Sequence, residues 1–146
     1  MSKPCLNFRA ATIASKYVCE NAMKKLVFDL DGTLTKANTS DYKNVLPRQD
    51  VIEQLIHYKE QGFEIVIATA RNMRTYKGNV GKINVHTLPI IVEWLDKHAV
   101  PYDEILVGKP WCGHHGFYID DRAVRPSEFS NLSFEEINLL LEKEKA

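Results

Sequence analysis

Leu26-Val27-Phe28-Asp29-Leu30-Asp31-Gly32-Thr33-Leu34 is an apolar run that stops in two carboxylates, a glycine and a hydroxyl. Read as a strand, it puts Asp29 and Asp31 on one side, because successive side chains alternate across a strand. Two acids held together raise the cost of ionising each other, unless they share a cation or one keeps its proton. An acidic pair can also be a solvated turn before a glycine. What the rest of the chain brings to the same place decides between the two.

Outward from this stretch, short apolar runs alternate with helical spacing. Residues 35–47 are polar and turn-rich and read as a loop. A helix is predicted over 48–61, with Val51, Ile52, Leu55 and Ile56 on one face and Gly62 as its stop. Phe63–Thr69 is a β-branched run suited to a buried strand, and residues 72–85 read as a second polar loop. A second helix is expected from Thr87, with Pro89 in its first turn and His98 at its C-terminal end, a position the helix dipole favours for a cation. Glu104–Val107 reads as a third strand leading to Gly108-Lys109-Pro110, and Phe117-Tyr118-Ile119 as a fourth leading to Asp120-Asp121. Ser133 followed by Glu136 is a capping box, and Leu132 with Ile137 suits a hydrophobic staple.

Strands alternating with helices argue for a mostly parallel sheet covered on both faces, an α/β/α sandwich. In such sheets ligands bind beyond the C-terminal strand ends. Asp29 and Asp31, Thr69, Lys109, and Asp120 with Asp121 all fall at such ends.

Composition narrows the classes. A chain of 146 residues suits one domain with its own core, and 45% hydrophobic with 26% charged content is globular. Nineteen basic residues balance nineteen acidic ones, so no bulk attraction to nucleic acid or to an anionic membrane is expected. The irregular Cys5, Cys19 and Cys112 suggest a reducing, cytoplasmic setting rather than a disulfide framework. No run reaches transmembrane length, and Lys16 and Glu20 interrupt the best signal-peptide candidate. Residues 1–22 read as an extension with no assigned role, and 23–146 as a single domain.

The ordered set Asp29-Leu30-Asp31-Gly32-Thr33, Thr69, Lys109 and Asp120-Asp121 resembles the four motifs of the haloacid dehalogenase-like phosphohydrolases. The similarity spans residues 25–126 and implies a Rossmann-like three-layer α/β/α fold. Through Thr69-Ala70-Arg71-Asn72 and Gly108-Lys109-Pro110-Trp111 the chain is similar to small phosphatases of bacterial capsular polysaccharide synthesis. The resemblance implies a phosphatase with Asp29 as nucleophile, forming an aspartyl-phosphate, and Asp31 as general acid and then base. It also implies Thr69 and Lys109 on the phosphoryl group, and Mg²⁺ held by Asp29, by Asp31 through its carbonyl, and by Asp120, with Asp121 on the metal or beside Lys109. Charge counting points to a metal independently. Four carboxylates cannot converge on a phosphate dianion with one lysine, whereas a hard divalent cation resolves the repulsion.

The intervals from Asp31 to Thr69 and from Thr69 to Lys109 leave no room for a cap domain. An open site is therefore expected, covered by loops 35–47 and 72–85, by a bulky substrate or by a second copy of the chain in a homo-oligomer. No acidic residue occurs from Arg71 to Pro89, and Arg71, Asn72, Arg74 and Trp111 are candidate contacts for a small phosphorylated metabolite such as a sugar phosphate. The same basic residues also suit a solvated loop. Cys112, His114 and His115 lack the second pair that a structural zinc site needs. Two other readings share parts of the pattern. A phosphomutase keeps all four motifs, and a receiver-type phosphoaspartate switch uses an acceptor Asp, a Ser/Thr and a Lys, but without the Asp29-x-Asp31 spacing.

Overall fold

The computed structural model describes residues 24–36 and 40–145; the extension expected over residues 1–22 lies outside them. Strand β1 (Lys25–Phe28) is followed by helix α1 (Gln49–Glu60) and β2 (Glu64–Thr69). Next come α2 (Val80–His86), α3 (Leu88–Lys97), β3 (Glu104–Val107), α4 (Pro126–Asn131) and α5 (Phe134–Glu142). The sheet is parallel in the order β1-β2-β3, with Phe28 opposite Ile67 and Thr69 opposite Val107. This is the expected mixed α/β class with a parallel sheet. The intervals on either side of Thr69 hold only these elements and their loops, so no cap domain is present among the described residues.

Helix α1 forms because Val51, Ile52, Leu55 and Tyr58 recur on one face, and all four are buried. It ends where Gly62 takes φ +89°, the Gly62 N–H bonding the Lys59 carbonyl and the Phe63 N–H that of Tyr58. One face of the sheet, through Phe28, Ile65 and Ile67, shares a core with α1, with Ile91, Trp94 and Leu95 of α3, and with Phe129 and Ile137. Each such side chain contributes about 1.5–3 kcal/mol by leaving water. The rings fix the angles: Tyr58 is stacked on Phe129 at 5.3 Å and edge-on to Phe63 at 5.0 Å. On the other face Val27 remains 63% and Leu106 51% exposed.

The C-terminal helix starts as its capping box dictates. The Ser133 hydroxyl accepts from the Glu136 N–H while the Glu136 carboxylate accepts from the Ser133 N–H. His98 sits at the C-terminal end of α3 with its ring 4.5 Å from that of Trp94, and burial lowers its pKa.

Two expectations are corrected. Residues 72–85 are not all loop, because α2 occupies 80–86 with the Asn79 side chain accepting from the Lys82 N–H and Ile83 buried. Phe117–Ile119 does not join the sheet; Phe117 is 77% and Ile119 89% exposed. Local contacts hold this segment instead, since the Tyr118 hydroxyl donates to the Pro110 carbonyl and its ring lies 4.1 Å from Lys109 Nζ. Three apolar residues offer few ladder bonds to compete with that return. The side of β1 away from β2 therefore carries no strand among the described residues.

Candidate active site

Parallel strands deliver their C-terminal residues to one edge. Asp29 follows β1, Thr69 closes β2, and Lys109 lies two residues beyond β3, its N–H bonded to the Thr69 carbonyl at 3.1 Å. From there Lys109 Nζ reaches across the end of the central strand to Asp29 Oδ1, 3.4 Å away. Burial pushes the Asp29 carboxyl above its ordinary value. Lys109 and the Leu30 N–H pull it back, and Asp31 adds a smaller upward push. A carboxylate in this setting is costly to ionise, and it faces a cation.

The turn after β1 is braced. The Leu30 carbonyl accepts the N–H groups of Thr33, Leu34 and Thr35, while Gly32 adopts φ +75°. A side chain at that φ would strain the backbone even though the space is open. Fully buried Thr35 accepts the Gly32 N–H on its hydroxyl at 3.0 Å. Nothing in the sequence marks Thr35 for this role, since a threonine after Leu34 carries no signal beyond turn composition.

Asp31 is held from the other side. Arg71, its side chain fully buried, donates through Nε to Oδ2 at 3.1 Å and through Nη2 to Oδ1 at 2.7 Å. The Arg71 N–H donates to Thr69 Oγ1 at 3.1 Å. The Thr69 hydroxyl keeps a hydrogen of its own to donate, since a hydroxyl both donates and accepts. Asp29, Asp31, Thr69, Lys109 and Arg71 thus form one connected group.

The other candidates are elsewhere. The amide of Asn72, a residue at φ +60°, is occupied by Thr87 Oγ1 at 2.8 Å and Thr75 Oγ1 at 3.1 Å, so it braces its own loop. Arg74 lies 5.8 Å from the Trp111 ring, and Trp111 is edge-on to His114 at 5.1 Å. Asp120 and Asp121 are exposed, with Asp120 Oδ1 accepting the Arg122 N–H at 2.7 Å. Among the described residues no three His, Cys, Asp or Glu are grouped to hold a metal, so neither aspartate joins Asp29 and Asp31, and Cys112 with His114 and His115 forms no site. The segment expected to carry Asp120 and Asp121 to the sheet edge is the one that remains outside the sheet.

The Asp29 carboxylate, with the Asp31 carbonyl beside it in the chain, nonetheless suits a hard divalent cation. Mg²⁺ is commonly bound through one or two carboxylates plus waters and substrate phosphate. Burial already makes negative charge on Asp29 expensive.

A family model described as haloacid dehalogenase-like hydrolase matches residues 26–93, the interval that holds Asp29, Asp31, Thr69 and Arg71. The crystal structure of a target protein from Vibrio cholerae is 80% identical, with a TM-score of 0.82 over 84% of this chain and 99% of that one. A chain of the Pnkp1/Rnl/Hen1 RNA repair complex is 22% identical over 59% of this chain and 26% of that one, and its TM-score of 0.42 carries no argument. No curated protein matches. Among the described residues no helix is long and apolar enough to cross a membrane.

Proposed function

We propose that this chain is a haloacid dehalogenase-like hydrolase, the family whose model matches residues 26–93, and acts as a Mg²⁺-dependent phosphomonoesterase that works through an aspartyl-phosphate on Asp29. The observation that carries the reading is Asp29 itself, a half-buried carboxylate with Lys109 Nζ at 3.4 Å and the Thr69 hydroxyl on the neighbouring strand end.

An Asp29 oxygen attacks phosphorus, and the bond to the leaving oxygen breaks. Lys109 offsets the charge of the phosphoryl oxygens, and Thr69 donates its hydroxyl hydrogen to one of them. Asp31 gives its proton to the leaving oxygen. It then takes one from the water that attacks the acyl phosphate, releasing phosphate and restoring Asp29. Asp29 and the Asp31 carbonyl are the groups proposed to hold Mg²⁺, which when bound would neutralise phosphate charge; Asp120 and Asp121 would have to move toward them to share it.

The substrate class proposed is a sugar phosphate or related anionic metabolite of surface-polysaccharide synthesis, handled in the cytoplasm. The acid-free run from Arg71 to Pro89 and the Arg74–Trp111 pair beyond Lys109 support that choice. Without a cap, water exclusion falls to a bulky substrate or to a second copy of the chain.

A panel of phosphomonoesters assayed with Mg²⁺, with EDTA and with Asp29→Asn tests the reading. Turnover should require both the metal and Asp29. Turnover on no compound, or full activity in EDTA, would overturn it.

A further inference from the structure

Arg71 was read from sequence as a substrate contact, but its geometry serves another group. Nε and Nη2 both point at Asp31, and the side chain is fully buried rather than presented to a ligand. Tyr42 covers one face of the guanidinium, its ring centroid 4.1 Å from Cζ. Burying a guanidinium is expensive unless it is paired, and here the pairing leaves Nη1 buried with no partner among the described residues. A stability argument alone does not account for that cost.

Tyr42 is well anchored for a loop residue. Fully buried Trp94 donates through Nε1 to the Val45 carbonyl at 2.8 Å, and Val45 is itself buried. The Val45 N–H bonds the Asp41 carbonyl, Lys36 N–H bonds Leu46, and Arg48 N–H bonds Leu34. The segment carrying Tyr42 is thus tied to α3 on one side and to the turn after β1 on the other.

We propose that Arg71 and Tyr42 are positioning residues for Asp31, a rigid backing that aims its carboxylate at the leaving oxygen. This rests on the proton-transfer role given to Asp31 above. Each carboxylate oxygen offers two lone-pair directions, so Arg71 can occupy one on each and leave another directed at the leaving oxygen and the attacking water. Planar guanidinium and carboxylate fix the rotation of Asp31 as a lysine could not. Tyr42 prevents the guanidinium from swinging off Asp31, and Thr69 holds the Arg71 backbone to the same strand end.

The test compares an alkyl phosphate, whose leaving oxygen needs a proton, with p-nitrophenyl phosphate, whose leaving group needs little. Wild type and Asp31→Asn calibrate the Asp31 role itself. Arg71→Met and Tyr42→Ala should lose kcat on the alkyl phosphate by about 10²-fold, the scale of a small misplacement. The loss on p-nitrophenyl phosphate should be clearly smaller and KM nearly unchanged, with Arg71→Lys between wild type and Arg71→Met. Adding Arg71→Met to Asp31→Asn should cost little more on the alkyl ester. Equal losses on both esters, or a rise in KM alone, would make Arg71 a structural or substrate residue and overturn the proposal. A separate double-mutant cycle on urea unfolding, free of any activity, should give a measurable Asp31–Arg71 coupling. Zero coupling would refute the clamp even if phosphatase activity were never found, whereas an Asp31→Asn variant without leaving-group dependence would point to the failure of the acid–base reading.

Discussion

Lys109 Nζ stands 3.4 Å from Asp29 Oδ1, reaching across the end of the central strand to a carboxylate that burial makes hard to ionise. A group whose folded pKa is raised favours folding below its unfolded pKa. That contribution is lost as pH climbs through the folded value. In metal-free protein, wild type should therefore lose stability relative to Asp29→Asn as pH rises from the ordinary carboxyl value of 3.8 toward neutrality. Urea unfolding of both proteins in EDTA across that range measures it. A difference that stays flat would contradict the burial of Asp29. Lys109→Met, which removes the cation that lowers this pKa, should be less stable than wild type at neutral pH.

Thr69 is buried with its oxygen accepting the Arg71 N–H. Thr69→Val strands that N–H and should cost about 1–3 kcal/mol in unfolding free energy. It should also remove the hydrogen offered to the phosphoryl group, lowering kcat. Thr69→Ser keeps both roles and should stay close to wild type in both measurements. Equal damage from the two substitutions would mean that the methyl group, not the hydroxyl, matters.

How far these roles were legible depends on the length of the pattern that carried them. Glu104–Val107 matches the expected strand to the residue, its apolar residues pairing along β2, and Ser133 with Glu136 marks a helix start that the hydrogen bonds reproduce. Helix α2 was hidden by Gly78 and Gly81, which look like loop punctuation; Asn79 as an N-cap, with Val80 and Ile83 three apart, was the available signal. Phe117–Ile119 looked like a strand, yet three residues do not outweigh the local hold of Lys109 and Pro110 on Tyr118. Asp29, Asp31, Thr69 and Lys109 were visible as motif residues, and Arg71 as a motif neighbour. Tyr42 and Thr35 were invisible because their partners lie far along the chain or in the backbone.

At the opposite edge of the sheet, Asp103 accepts from Lys59 at 2.7 Å and from the Ile65 N–H at 2.7 Å. The Lys59 hydrogen bond and the Ile65 N–H hold its carboxyl below the ordinary value. Its contribution is therefore present above the unfolded carboxyl pKa and is lost as pH falls through the lowered folded value. Asp103→Ala should cost about 1 kcal/mol at neutral pH, since the pair is partly solvated. The cost should shrink in acid, and kcat should not change. A fall in kcat at full folding would contradict the separation of this edge from the chemistry.

Asp120 and Asp121 lie outside the group formed by Asp29 and Asp31, and the outer side of β1 is open. If they serve the metal, Mg²⁺ with a phosphate analogue should increase amide-exchange protection in residues 117–119 and along β1. Asp120→Asn should then raise the Mg²⁺ concentration needed for half-maximal activity. Unchanged exchange together with unchanged Mg²⁺ dependence would remove both residues from the site.

The central claim is that phosphate passes through Asp29. Acid quench of a turnover mixture containing a phosphate-labelled ester, followed by peptide mapping, tests it most directly. Wild type should carry label on the peptide containing Asp29, and Asp29→Asn should carry none. Brisk turnover with no labelled peptide, or label retained by Asp29→Asn, would contradict it.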